Sequence, residues 1–219
     1  MRVLVIAAHP DDELLGPGGT ILRHLADGDE VSILVACTGT NLRYEAPEAD
    51  RLTTIAREVA TGMGAAIEFG GLPDQGLDGR SLTEVAAVIE GRIAAVEPEV
   101  VYVHHWGDIN RDHRILCEAT LVAARPYAAP GVRAIRCFET PSSTEWGSAA
   151  GLPPFTPNLF VDIDAVLAAK LEAFAAYESE VRPWPHPRSL RALEARARHW
   201  GSVSGSPAAE AFAVAREHW

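Results

Sequence analysis

The chain has 219 residues, 47% of them hydrophobic and 22% charged, a composition that points to one soluble globular domain with a sizeable core and excludes disordered, collagen-like and coiled-coil chains. The 19 Lys and Arg stand against 30 Asp and Glu, a formal charge of −11, which repels phosphate backbones and anionic membranes and sets nucleic acid and membrane aside as partners. The three cysteines, Cys37, Cys117 and Cys137, form no C-x-x-C pair, so neither a disulfide framework nor a sulfur-ligated zinc site is expected.

Val3 to Ala8 is a continuous apolar run rich in β-branched residues, which predicts a strand buried on both faces. It is too short for a signal h-region or a membrane span, so a cytoplasmic location is expected. Gly18 to Ala26 then predicts a short helix, Val31 to Ala36 a second strand, and Arg51 to Met63 a second helix closed by Gly62 and Gly64. Ala65 to Phe69 is a weaker third strand, followed by a loop from Gly70 to Arg80 with Pro73-Asp74 and Asp78-Gly79 turn signals. Ser81-Leu82-Thr83-Glu84 reads as a capping box that opens a helix to about Ala95. The strand Val100 to Val103, a helix from His113 to Ala124 and the strand Ala134 to Phe138 complete the series.

This β-α-β rhythm over residues 1 to about 140 predicts an α/β fold of Rossmann-like type: an open, mainly parallel sheet, order 3-2-1-4-5, with helices on both faces. Residues 141–219 change character and read as a C-terminal extension of the same single domain. They hold a Pro-rich loop, a strand at Leu159 to Ile163 and a helix from Asp164 to about Tyr177. Further helices follow, one of them opened by Ser206-Pro207 as N-cap and first residue.

In such a sheet, ligands bind beyond the carboxyl ends of the strands where the order reverses. The stretch His9 to Glu13 follows the first strand and the loop His104 to His113 follows the fourth, so two distant polar clusters are expected to converge. Pro10 stiffens a turn that lets His9 and Asp12 face one side. With His113 as third ligand they make an N/O set suited to Zn²⁺ and open to water. Two neutral imidazoles and one carboxylate leave the ion at about +1, which lowers the pKa of bound water toward roughly 7. Asp11 lies between two ligands and is free to act as general base. Asp112 is placed to cap the helix that His113 begins. His104 and His105 follow strand four, whose alternation turns one to the core and the other to the cleft. Gly16-Pro17-Gly18-Gly19 lacks the third glycine of a dinucleotide fingerprint, because Ile21 stands there. These glycines are expected to let a helix pack closely on the sheet.

Ala8-His9-Pro10-Asp11-Asp12-Glu13, then Gly18-Gly19-Thr20 and Gly107-Asp108-Ile109-Asn110-Arg111-Asp112-His113-Arg114, resemble the PIG-L/LmbE family of zinc-dependent N-deacetylases. Glu139 to Trp146, Pro157-Asn158, Tyr177-Glu178-Ser179-Glu180, His186 to Ser189 and Ala209 to Phe212 resemble one bacterial branch of it. The resemblance implies removal of an acetyl group from an amino sugar or a related small molecule, with His9, Asp12 and His113 on zinc and Asp11 as base. Fe²⁺ suits the same ligands, and an amidase of a thiol-sugar conjugate or specialised metabolite is the neighbouring alternative. Several branches carry a histidine three residues before the last ligand, where this chain has Asn110, so the oxyanion donor falls to Asn110 or His105. Arg43, Asp74, Glu145 and Arg188 are candidates to bind the sugar or an anionic group. Trp184, Trp200 and Trp219 suit either the contacts of a homo-oligomer or packing within the chain.

Overall fold

A computed structural model describes residues 1–38 and 46–218. The apolar runs form strands as expected: β1 (Arg2–Ala7), β2 (Glu30–Cys37), β3 (Ala66–Leu72), β4 (Val100–His104) and β5 (Ala134–Phe138). β1 pairs in parallel with β2 on one side, Ile6 opposite Leu34, and with β4 on the other, Ile6 opposite Val103. The sheet order is β3-β2-β1-β4-β5-β7-β6, so the order reverses between β1 and β4 and opens a crevice beyond their carboxyl ends. Burial of β1, β2 and β4 on both faces requires a helix layer on each side. Val101, Val103, Ile89 and Leu116 lie in one layer, Val3, Ile33 and Tyr102 in the other.

The helices are α1 (Asp12–Leu15), α2 (Gly18–Ala26), α3 (Ala46–Met63), α4 (Leu82–Val96), α5 (Arg111–Ala123), α6 (Leu167–Ala175) and α7 (Leu190–Ser204). Among the described residues no helix is long and apolar enough to cross a membrane. The capping box is present: Ser81 Oγ accepts from the Glu84 amide, and the Glu84 carboxylate accepts from that of Ser81. Gly16 and Gly19 serve close packing. A Cβ on Gly16 would stand 2.3 Å from the Phe138 ring, and one on Gly19 2.8 Å from Ile163.

The structure corrects the C-terminal helix. Ser206-Pro207 opens no helix; it leads into β7 (Ala209–Glu217), which lies antiparallel to β5 and to β6 (Leu159–Asp162). The alanines of this segment favour a helix locally, but strand pairing on both sides, with Phe212 opposite Phe138 and Leu159, outweighs that preference. Glu210 then reaches the start of α2, accepting from the Gly19 and Thr20 amides at 2.7 Å each. That helix N-terminus, the place a nucleotide-binding sheet offers to phosphate, is filled by the protein's own carboxylate.

Candidate active site

The chain leaves β1 through Pro10 and reverses at Asp11, whose φ of 115° is far from the allowed range of an ordinary L-residue. The reversal turns His9 and Asp12 toward one another, Nδ1 to Oδ2 at 3.1 Å, while Asp12 Oδ2 also accepts from the His9 amide at 2.9 Å. The β4–α5 loop brings His113 to the same point from the other side of the crevice. Its Nε2 stands 3.3 Å from Asp12 Oδ2 and 3.3 Å from His9 Nδ1. Three donors held about 2.0–2.1 Å from a tetrahedral Zn²⁺ stand about 3.3–3.4 Å apart, close to the 3.1–3.3 Å edges of this triangle, so the donor set fits the ion.

The supporting groups suit it as well. Asp108 Oδ2 stands 3.2 Å from His113 Nδ1, and Asp112 Oδ2 stands 3.2 Å from His9 Nε2. Each imidazole therefore faces a carboxylate on its far nitrogen, the arrangement that fixes the tautomer and orientation of a metal-binding histidine. Asp108 is itself held by Ser143 Oγ, Thr144 Oγ1 and the Asn110 amide. Burial opposes its charge, but the His113 cation and these donors bring its carboxyl down to about 2. Burial likewise opposes the charge of Asp12, and the His113 cation with the hydrogen bonds from His113 and His9 holds it well below the usual range. A second triple, His9, Cys37 and Asp112, also lies close enough to hold an ion. Burial pushes the Cys37 thiol up to about 12, the wrong direction for a thiolate ligand.

Asn110, not Asp112, caps α5: its Oδ1 accepts from the Asp112 amide at 2.9 Å. Asp112 is thereby left to accept from the Leu77 amide and face His9. His104 and His105 are both fully buried, against the expected alternation. His104 ends β4 in register with Phe138 of β5, and its side chain turns into the core. Its Nε2 accepts from the Ala8 amide at 2.8 Å, its Nδ1 reaches Thr140 Oγ1, and its ring stacks on His113 at 3.9 Å. Burial, with the His113 charge beside it, drives its pKa well down and keeps it neutral. His105 is held by Trp106 and Phe155 with Nδ1 accepting from the Gly107 amide, and lines neither cavity of the cleft.

Asp11 is buried beside the triangle. Arg188 Nη1 donates to Asp11 Oδ2 at 2.9 Å and to Glu180 Oε2, and Arg188 Nε donates to Ser142 Oγ. Burial pushes the Asp11 carboxyl well up; the Arg188 charge opposes this, and the charges of Asp12, Glu180 and Glu13 add to it. Glu13 accepts from the Asp11 amide at 3.0 Å and from the Tyr177 hydroxyl. Burial raises Glu13 to about 7 against those hydrogen bonds.

Two adjoining cavities open here. The inner one, about 50 Å³, is lined by His9, Asp11, Asp74, Gln75, Asn110 and Arg188. The outer one, about 590 Å³, is lined by His113, Asn110, Trp146, Arg182, His186 and Arg188 among others, a volume that suits a small organic ligand. Of the expected binding residues, Asp74 stands 3.1 Å from His9 Nε2 and Arg188 grips Asp11. Glu145 lines neither cavity; its carboxylate accepts from the Ser142 and Ser143 amides. Arg43 lies outside the described residues. Reading the sequence missed Gln75, Glu180 and the orienting roles of Asp108 and Asp112. A carboxylate one residue before or five before the candidate ligand His113 was the available signal for the last two.

Residues 4–124, more than half of the chain, match the model of the family described as PIG-L: GlcNAc-PI de-N-acetylase. A 1D-myo-inositol 2-acetamido-2-deoxy-alpha-D-glucopyranoside deacetylase of Actinosynnema mirum is 26% identical, over 84% of this chain and 82% of its own length. Two solved structures share the fold. The N,N'-diacetylchitobiose deacetylase of Pyrococcus horikoshii is 20% identical with a TM-score of 0.75, covering 98% of this chain and 83% of its own. The 4-carboxy-2-hydroxymuconate hydratase GalB of Pseudomonas putida KT2440 is 19% identical with a TM-score of 0.77, over 100% and 98%. A hydratase and a deacetylase on one fold show that the fold alone does not select the reaction. With the family match and the donor triangle in place, the chain belongs to the PIG-L family.

Proposed function

We propose that the protein is a metal-dependent N-deacetylase that removes the acetyl group of an amino sugar or sugar-containing small molecule in the cytoplasm. One observation carries this reading: His9 Nδ1, Asp12 Oδ2 and His113 Nε2 converge beside a buried, unligated carboxylate, Asp11, at the floor of an open cleft. Zn²⁺, or Fe²⁺ at the same ligands, when bound there supplies a Lewis acid that polarises the amide carbonyl and acidifies water.

The chain's own residues do the rest. Asp11 takes a proton from the attacking water and returns it to the departing amine nitrogen; with Oδ2 on Arg188, the proton is carried on Oδ1. Burial raises the carboxyl toward the pH at which a base works best. Asn110 lines both cavities and its Oδ1 is committed to the α5 cap, so its amide NH₂ is the donor to the oxygen that gains charge. His105 lies away from both cavities and is set aside for that role. Asp74 and Gln75 border the inner cavity, where they would meet the sugar, and Trp146 offers an exposed face in the outer one.

Amine release from a panel of N-acetyl amino sugars and thiol-sugar conjugates, with metal content measured on the same samples, tests the reading. The wild type should release amine with Zn²⁺ or Fe²⁺, and Asp11→Asn should lower kcat by about 10² to 10⁴ while keeping the metal. No release from any member, or an Asp11→Asn enzyme as active as the wild type, refutes it.

A further inference from the structure

Asp11 has a φ of 115°, a backbone conformation that is strained for a non-glycine residue and persists only where the surroundings impose it. What imposes it is visible. On the carboxyl side, the Asp11 carbonyl accepts from the Leu14 and Leu15 amides of α1. On the amino side, the Asp11 amide donates to Glu13 Oε2 at 3.0 Å. Glu13 is 1% exposed and lines neither cavity of the cleft. Its other oxygen accepts from the hydroxyl of Tyr177, which is fully buried among Leu14, Leu15, Phe174 and Leu193. The side chain of Asp11 is gripped by Arg188, which Glu180 and Ser142 hold in turn. Tyr177, Glu180 and Arg188 all come from one stretch after α6, so this stretch holds the Asp11 carboxylate directly and its amide through Glu13.

We propose that Glu13 and Tyr177 are positioning residues, a brace that holds the strained backbone of Asp11 so that its carboxylate faces the cleft in one orientation. The buried carboxylate of Glu13 ties the reversal after β1 to the C-terminal segment through Tyr177, and touches neither substrate nor metal. The inference rests on Asp11 being the base, as read above.

Tyr177→Phe removes a single buried hydroxyl and leaves the packing. Glu13→Gln keeps an acceptor for the Asp11 amide and a donor toward Tyr177 Oη, whereas Glu13→Leu keeps only the volume. For the best N-acetyl substrate of the wild type, Tyr177→Phe should lower kcat about tenfold and Glu13→Leu about a hundredfold or more, with KM and metal content unchanged. Glu13→Gln should restore most of the activity. In parallel, the Asp11 amide hydrogen should exchange slowly in the wild type and in Glu13→Gln, and faster in Tyr177→Phe and Glu13→Leu. A kcat within about twofold of the wild type in Tyr177→Phe and Glu13→Leu overturns the inference, as does a loss confined to KM or metal content. Unchanged exchange at Asp11 overturns it equally. A wild type that releases no amine counts against the deacetylase reading alone, because the exchange measurement still decides the brace.

Discussion

The ion pair between Lys170 and Glu210 offers a test of how the C-terminal segment is fastened to the sheet. Lys170 is 5% and Glu210 6% exposed; Nζ stands 2.5 Å from Oε1 and also donates to the Gly16 carbonyl at 3.1 Å. Glu210 additionally receives the Gly19 and Thr20 amides at 2.7 Å, replacing the side-chain cap that Pro17 does not supply to α2. Breaking a buried pair costs about 3–5 kcal/mol. In Lys170→Met the stranded carboxylate keeps two amide donors and a favourable helix end, so the cost falls at about 3 kcal/mol. In Glu210→Met a buried ammonium loses its partner and two amides lose their acceptor, so the cost rises to about 5 kcal/mol. For a chain of this length, 3 kcal/mol lowers the midpoint by about 6–12 °C. The double variant should be more stable than the two single losses added together predict, by about 2 kcal/mol. Urea unfolding of the four proteins measures this directly. Additive losses, or single losses under about 1 kcal/mol, would show that the pair does not fasten α2 to β7.

Three further outcomes follow from the site. Asp108→Asn removes the carboxylate facing His113 Nδ1 and should weaken zinc binding about 10- to 100-fold in competition with a chromophoric chelator. Asn110→Asp keeps an oxygen to cap α5 but loses the NH₂ donor, so unfolding should be little changed while kcat falls about a hundredfold or more. In the metal-stripped protein, burial opposes the charge of His113 but Asp12 and Asp108 raise its pKa from 6.5 to about 9. A folded-state pKa above the unfolded one stabilises most at low pH, so the unfolding midpoint should fall as pH rises from about 6.5 to 9. Saturating zinc should flatten that fall, because metal binding requires the neutral ring.

The sequence made the sheet order and the convergence of His9, Asp12 and His113 legible for the same reason: both rest on local signals. The β1, β2 and β4 runs are apolar throughout, and a turn at Pro10 followed by a helix start at Arg111 is enough to place His9, Asp12 and His113 at the two ends that meet. Local signals failed where two residues of one type compete or where the partner is remote. Asn110 and Asp112 are both good helix caps, and only the presence of His9 and the Leu77 amide beside Asp112 decides that Asn110 takes the cap. Ala209 to Ala213 reads as helix until β5 and β6 are there to pair with it. Arg188 reads as a binder of substrate until it is seen 177 residues away on Asp11, and the Tyr177 hydroxyl reaches Glu13 across 164 residues. The proposed ligands thus come from residues 9–113, whereas Arg188 and Tyr177, which hold Asp11 and Glu13, come from the C-terminal segment. The candidate ligands were open to inspection of a short motif; the orientation of Asp11 required the fold, because a strained reversal persists where groups that close around it, some of them remote in sequence, impose it.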